Sequence, residues 1–319
     1  MGVLVLIEVE GGSASLVSRE ALTFSRDLGA GDLHAVVVGT PAPGVVADCA
    51  EAGVVAIHTA QDPALERGYA AAAWAAVVEA AGRAARADLV VAPGTGRGNE
   101  VLAHVAARRN LRMAANVVSV ESLSPLVVQR QVVGGAALER ATVDSRVRLM
   151  TMAGHAVEPV AAPSPGAATV TPLAITVDPK DLRAQVVRTE ARETGDATGL
   201  TAARVVVGGG RGAGGPEGFG GVEALANRLG GAVGVSRVVT SLGWRPHHEQ
   251  VGQTGSRIAP DLYIACGISG AIQHWAGCAS SKTIIAVNTD PDAPMVTKAN
   301  YAVIGDMHEV LPAVLDELA

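Results

Sequence analysis

The chain returns repeatedly to short runs of Val, Leu, Ile and Ala, each followed by a stretch of helical character. Val3–Glu8 (VLVLIE), His34–Gly39, Val54–His58 and Asp88–Ala92 carry the pattern first, and Arg204–Gly208 (RVVVG), Leu262–Cys266 (LYIAC), Thr283–Val287 and Tyr301–Ile304 carry it again past residue 200. Unbroken apolar runs of that length suit strands buried on both faces, the environment of a parallel sheet covered by helices. Helices are read at 13–28, which Gly29 closes, at 45–52, through the Ala-rich 63–85, at 221–229, after Ser269, and near 307–318. Strands alternating with helices imply βαβ units and an α/β fold. From about Ala115 the pattern changes to short β-like pieces at 126–133, 145–152 and 168–177, read as further strands of the first half.

A length of 319 residues exceeds the usual size of one domain, so two domains are expected, with one large α/β domain as the alternative. The polar stretch EARETGDATGL interrupts the periodicity and sets the expected organisation: 1–190, a linker at 191–202, and 203–319. Hydrophobic residues make up 49% of the chain but aromatics only 3%, so both cores must be built from small aliphatics. A formal charge of −6 with no basic tract disfavours nucleic acid as a partner. The sequence has no apolar run of membrane-spanning length, and its opening lacks the basic region and cleavage site of a signal peptide. A soluble, cytoplasmic protein is therefore expected. Cys49, Cys266 and Cys278 show no metal or disulfide spacing and read as buried thiols.

Chemistry concentrates in the second half. Gly210, Gly212 and Gly215 fall in G-x-G-x-x-G register after a strand, which reads either as a dinucleotide turn or as a flexible βα turn, and Arg211 within it favours a nearby anion. Ser236 is placed to cap a helix, yet Arg237 at a helix start gains nothing from the macrodipole and points to an anionic partner. In VGQTG, glycines bring backbone close to a ligand while Gln253 and Thr254 offer donors and acceptors. GISGAIQH runs from a strand into a helix with Ser269, Gln273 and His274 where packing alone would place Leu or Val. Asn288 and Asp290 end the next strand and Asp306 ends the last, so polar groups gather at strand carboxyl ends, where open α/β sheets bind ligands. The chain contains no P-loop, no G-x-S-x-G elbow and no His-Glu-x-x-His, and the adjacent His247 and His248 do not make a metal pair.

Together, GGRG, GVSR, VGQTG, LYIACGISGAIQH, IIAVN with DPDAP, and ANYAVIGDM resemble the alpha subunit of electron transfer flavoproteins, the FixB family. The likeness is dense over about 204–312 and looser earlier, through VLVLIE, GRGNEVLAHVAARRN and RQVVGGAAL. It implies two doubly wound domains, an N-terminal mainly parallel-sheet one of the adenine nucleotide hydrolase-like kind that meets a beta subunit, and a C-terminal FAD-binding one. The beta subunit would hold an AMP. Electrons would pass from flavin-linked dehydrogenases to a quinone-linked oxidoreductase or similar acceptor, with no substrate chemistry on this chain. Carried over residue by residue, the resemblance puts Arg211 and Ser236 by the FAD phosphates and Arg237 near the isoalloxazine ring, where a fixed cation favours anionic reduced flavin. Val251, Gly252, Gln253 and Thr254 would border the flavin, with the Thr254 hydroxyl toward N5. Ser269, Gly270, Ala271, Ile272, Gln273 and His274 would supply helix-start amides and an imidazole near O2. Asn288, Asp306 and Met307 would contact the adenosine end. The chain departs from the family pattern at Gly208, where Ser is frequent, at Gly218-Phe219 in place of Asn-Phe, at Ala103-His104 in place of Pro-Arg, at Pro246-His247-His248, and at Ser256 in place of Lys. The competing expectations are an NAD-dependent Rossmann-type oxidoreductase and a flavin-free assembly module.

Overall fold

A computed structural model describes residues 2–133, 137–154, 156–188 and 197–318. The chain divides into two compact units, one built from 1–132 and 138–190 and the other from 133–137 and 191–319. Of the expected linker at 191–202, residues 191–196 lie outside the described residues and Ala197–Ala202 form a helix.

The first unit is a nine-stranded sheet in the spatial order Thr169–Pro172, Ala56–Ala60, Asp32–Val38, Gly2–Leu6, Ala87–Pro93, Arg148–Met152, Met113–Leu123, Leu126–Val132, Ala137–Val143. The strands from 169–172 to 113–123 pair in parallel, and Leu126–Val132 adds to 113–123 as an antiparallel extension. Helices Leu16–Asp27 and Pro43–Glu51 cover one face through Ala21, Leu22, Val45 and Cys49. Helices Ala71–Ala84 and Gly96–Arg109 cover the other through Ala73, Val77, Val101 and Leu102. Each fully buried Val or Leu of these faces contributes about 1.5–3 kcal/mol. Ser15 caps the first helix by accepting from Ser18 N, and Gly29, at φ +61°, takes the left-handed turn that follows it. The single helix expected over 63–85 is two, Pro63–Glu66 and Ala71–Ala84. The break falls at Gly68, at φ +151°, where a Cβ would collide with the Val186 carbonyl, so the passing chain holds the backbone out of helix.

The second unit is a five-stranded, all-parallel sheet in the order Ala232–Val235, Val205–Gly209, Leu262–Cys266, Thr283–Asn288, Tyr301–Ile304. Adjacent residues of one strand serve opposite faces. Val207, Ile264 and Val287 pack with Phe219, Leu225 and Leu311, whereas Val206, Tyr263 and Ala286 pack with Met295 and Leu200. Helices Gly220–Arg228 and Met307–Glu317 thus lie over one face and Ile272–Cys278 and Pro294–Lys298 over the other. Both units are doubly wound, as the runs of aliphatics imply. In chain order the second sheet reads 2-1-3-4-5, and its winding reverses between Val205–Gly209 and Leu262–Cys266. That reversal opens a crevice outside the strand carboxyl ends.

Candidate functional site

Five loops leave the carboxyl ends of the second sheet, and together with the 250–254 segment they line two cavities there. The larger, about 490 Å³, is bounded by Arg211, Gly212, Ser236, Gly267, Ser269, Asn288, Asp290, Asp306 and Met307. The smaller, about 170 Å³, is bounded by Ser236, Arg237, Gln250 to Thr254, Ser269 to Ala271, Gln273 and His274. Ser236, Val238 and Ser269 belong to both. Of the flavin contacts that the resemblance implies, Ile272 alone lines neither; the residue is 60% exposed.

The glycine-rich turn is built for contact between loops. Gly210 N donates to Cys266 O at 2.9 Å and Gly212 N to Gly267 O at 3.1 Å. A Cβ on Gly210 would collide with the Gly267 carbonyl, and Gly267 itself sits at φ +61°. The turn then continues through two 3-10 segments, Arg211–Ala213 and Pro216–Phe219, before helix Gly220–Arg228 begins. A dinucleotide turn enters its helix at the glycines. The G-x-G-x-x-G register here therefore marks the stitching of the first loop to the third.

Ser236 stands at the start of helix Arg237–Ser241, but its side chain caps nothing. Its Oγ is buried without a partner. Arg211 and Arg237 are exposed and form no ion pair among the described residues, so two uncompensated guanidinium groups stand at this edge of an acidic chain. In the 251–256 loop, Gln253 N donates to Gln273 O at 2.8 Å, tying VGQTG to GISGAIQH. Thr240 Oγ1 donates to Gln250 Oε1 at 2.6 Å, and Gln250 Nε2 donates to Thr254 Oγ1 at 3.1 Å, which leaves the Thr254 hydrogen free to be donated elsewhere. Asn288 is spent on structure: Nδ2 donates to Ile268 O at 3.0 Å and Oδ1 accepts from Asp290 N at 3.1 Å. Asp306 caps the last helix by accepting from His308 N at 2.9 Å, and Met307 is buried beside Gly267.

His274 is buried, with Nε2 2.8 Å from the Tyr263 hydroxyl and Nδ1 lacking a partner. Burial pushes its pKa down to about 4, the nearby Val251 carbonyl opposing in part, so the ring is neutral at physiological pH. The same burial pushes the Cys266 and Cys278 thiols up to about 12, as inert packing groups. Gln250 and Tyr263 escape a reading by sequence. Gln250 precedes the recognisable loop, and Tyr263 looks like one more core residue of its strand.

A doubly wound α/β domain with unpaired cations and orphaned buried polar atoms at its switch point belongs to the class of open α/β sheets suited to an anionic ligand at that edge. Comparison with known proteins gives the family. Residues 199–279 match the family model described as electron transfer flavoprotein FAD-binding domain, and residues 3–179 match that of the electron transfer flavoprotein domain. Curated electron transfer flavoprotein alpha subunits align over nearly their whole length. That of Mycobacterium leprae is 37% identical over 316 residues, covering 98% of this chain and 96% of that one. That of Paracoccus denitrificans is 35% identical over 320 residues, covering 100% of both, and that of Bacillus subtilis 32% over 317, covering 99% and 96%. The chain belongs to the electron transfer flavoprotein alpha-subunit family, carries that family's FAD-binding domain, and is an electron carrier. Asn288, Asp306 and Met307 lie beyond the matched 199–279 segment. Among the described residues, no helix is long and apolar enough to cross a membrane.

Proposed function

We propose that this chain holds FAD along the carboxyl edge of its second sheet and pairs with a beta subunit, carrying electrons from flavin-linked dehydrogenases to a quinone-linked or similar acceptor. The observation that supports the cofactor's place most directly is the pair of orphans, Ser236 Oγ and His274 Nδ1, both buried without partners and both on cavity walls. Buried polar atoms are ordinarily satisfied, and these two, unlike Ser25 Oγ, His58 Nδ1, Trp74 Nε1 and Glu79 Oε1, belong to residues that line these cavities, where a ligand can complete them. The residues present therefore fit the cofactor. FAD supplies the redox chemistry, accepting and releasing electrons singly or in pairs. Arg211 and Ser236 hold its phosphates, Arg237 places positive charge by the ring, Thr254 offers its hydroxyl hydrogen, and Asn288, Asp306 and Met307 border the adenosine. The chain converts no substrate of its own.

In the same reading, residues 1–190 contact the beta subunit, which keeps an AMP, and 191–202 joins them to the flavin domain at 203–319. Curated alpha-subunit relatives at full length support the partner, and the polar composition of 190–200 supports the joint. Work is placed in the cytoplasm.

Co-expression with the beta subunit tests the reading: the purified pair is expected to show flavin absorbance at one FAD per heterodimer. A colourless, folded pair that binds NAD supports the oxidoreductase reading instead. A pair whose melting temperature FAD leaves unchanged supports a flavin-free module. Limited proteolysis is expected to cut first within 191–202 and release a flavin-bearing fragment; first cleavage elsewhere moves the boundary. Arg237→Ala is expected to lower the flavin potential, and an unchanged potentiometric titration removes that residue from the site.

A further inference from the structure

The buried pair behind the smaller cavity, Tyr263 and His274, governs which nitrogen of the imidazole carries its proton. Tyr263 lies in strand Leu262–Cys266 and is fully buried, its Oη 2.8 Å from His274 Nε2, with the two rings stacked at 6.1 Å and 28°. This is the one hydrogen bond of the phenol among the described residues. Were Nε2–H to donate to Oη, the phenolic hydrogen would be left buried with no acceptor, and an orphaned buried donor is strongly disfavoured. With O–H donating to Nε2, the phenol and Nε2 are both satisfied, and the neutral ring keeps its proton on Nδ1, which the nearby Val251 carbonyl favours. Burial holds both groups in the forms this needs, raising the phenol's pKa well above its ordinary value and lowering that of the imidazole.

We propose that Tyr263 is a positioning residue of this electron carrier: by donating its phenolic hydrogen to Nε2, it locks His274 in the Nδ1–H tautomer at the cavity wall. Nδ1 makes no hydrogen bond of normal geometry, with the Val251 carbonyl near the ring, and His274 lines the smaller cavity, so its N–H is the imidazole group that remains for a ligand there. Gly208 makes the arrangement possible, because a Cβ there would overlap the Tyr263 hydroxyl. Tyr263 lines neither of the two cavities and acts through the ring it orients. The inference rests on the FAD-binding reading for its consequence, but not for its geometry.

Selective 15N labelling of histidine rings in the full chain, co-expressed with its beta subunit, reads the tautomer from long-range proton–nitrogen correlations, with His274 assigned by its loss in His274→Gln. At neutral pH, with and without FAD, the His274 ring is expected to be protonated on Nδ1 and bare on Nε2. Tyr263→Phe, which removes only the hydroxyl, is expected to abolish that preference. A native ring protonated on Nε2, or an unchanged ring spectrum in Tyr263→Phe, overturns the proposal. Should Tyr263→Phe not fold, the native spectrum still decides. In the FAD-loaded pair, Tyr263→Phe is expected to shift the pH dependence of the flavin potential; an unchanged pH profile alongside an altered tautomer overturns the functional half. A chain that takes up no FAD fails the FAD reading, while the tautomer in the flavin-free protein is judged separately.

Discussion

The two units of this chain share an architecture and treat the same edge of it in opposite ways. In the first, polar side chains that follow strands Gly2–Leu6 and Ala87–Pro93 are hydrogen-bonded to partners within the chain. Thr95, the N-cap of helix Gly96–Arg109, donates to Glu8 Oε1, and the Gly98 amide also favours the Glu8 carboxylate. Next to them Thr151 Oγ1 donates to Asn99 Oδ1 at 2.7 Å and accepts from Asn116 N at 2.8 Å. In the second unit the corresponding edge holds two arginines with no ion pair among the described residues, two orphaned buried polar atoms and the cavities themselves. One unit places a carboxyl group of its own at the helix start, whereas in the other no carboxylate pairs with Arg211 or Arg237 among the described residues. Sharing a fold therefore does not imply sharing a site.

Acid is expected to expose the contrast most strongly. His274, with a pKa of about 4 against an ordinary 6.5, stabilises the second unit above pH 6.5 and loses that contribution as pH falls toward 4. The gap corresponds to about 3 kcal/mol at most. Urea midpoints followed by flavin release, at pH 7 and 4.5, should differ less in His274→Gln than in the native chain; equal shifts break the contrast. Next, Arg211→Ala removes a charge-assisted contact worth about 1.5–3 kcal/mol, and FAD titration should weaken by roughly 10–100-fold. An unchanged affinity takes Arg211 out of the site.

Glycines sharpen the comparison further. Gly210→Ala drives a Cβ into the Gly267 carbonyl and is expected to cost about 1–3 kcal/mol, whereas Gly96→Ala, with open space around it, should lie within about 0.5 kcal/mol of neutral. Thermal unfolding of the two variants tests this, and similar losses would mean that the first edge is as tightly stitched at that point. The smallest effect is expected at Glu8, whose carboxyl burial holds above its usual 4.5. Its contribution is fully present below pH 4.5 and is lost as pH rises through the raised value, opposite in sign to His274. Glu8→Gln, neutral and still able to accept from Thr95, should unfold slightly later than the native chain at pH 7 and together with it at pH 4. His34 and His58, stacked in the first unit with lowered pKa values, act in the sense of His274 and cancel between Glu8→Gln and the native chain.

Much of this was legible beforehand, for identifiable reasons. The runs at Val3, His34, Arg204 and Leu262 are strands because β-branched and small aliphatic residues in unbroken sequence fit a sheet covered on both faces. Arg237 at a helix start and His274 in a helix's first turn stood out because neither location suits them without a partner. What stayed hidden involves residues whose role depends on distant neighbours. The 210–215 glycines look like a dinucleotide turn until Gly267, some fifty residues on, is seen pressed against them. Ser236 reads as a helix cap until its hydroxyl is found unpartnered. Gln250 and Tyr263 carry no local signal, because what each does is hold another residue in place.

The order of short aliphatic runs, loops ending in Gly, Ser, Asn and Asp, and helices between them determined a parallel α/β chain with its chemistry at strand carboxyl ends. Periodicity and composition are local properties, and they are sufficient for that. Only the tertiary structure decided which of two similar edges bonds its polar groups to one another and which leaves arginines and a buried hydroxyl unpaired, and which nitrogen of His274 the Tyr263 hydroxyl occupies. Those outcomes depend on side chains that no local periodicity pairs coming within hydrogen-bond distance and out of water, where an unsatisfied polar atom is costly enough to set the choice.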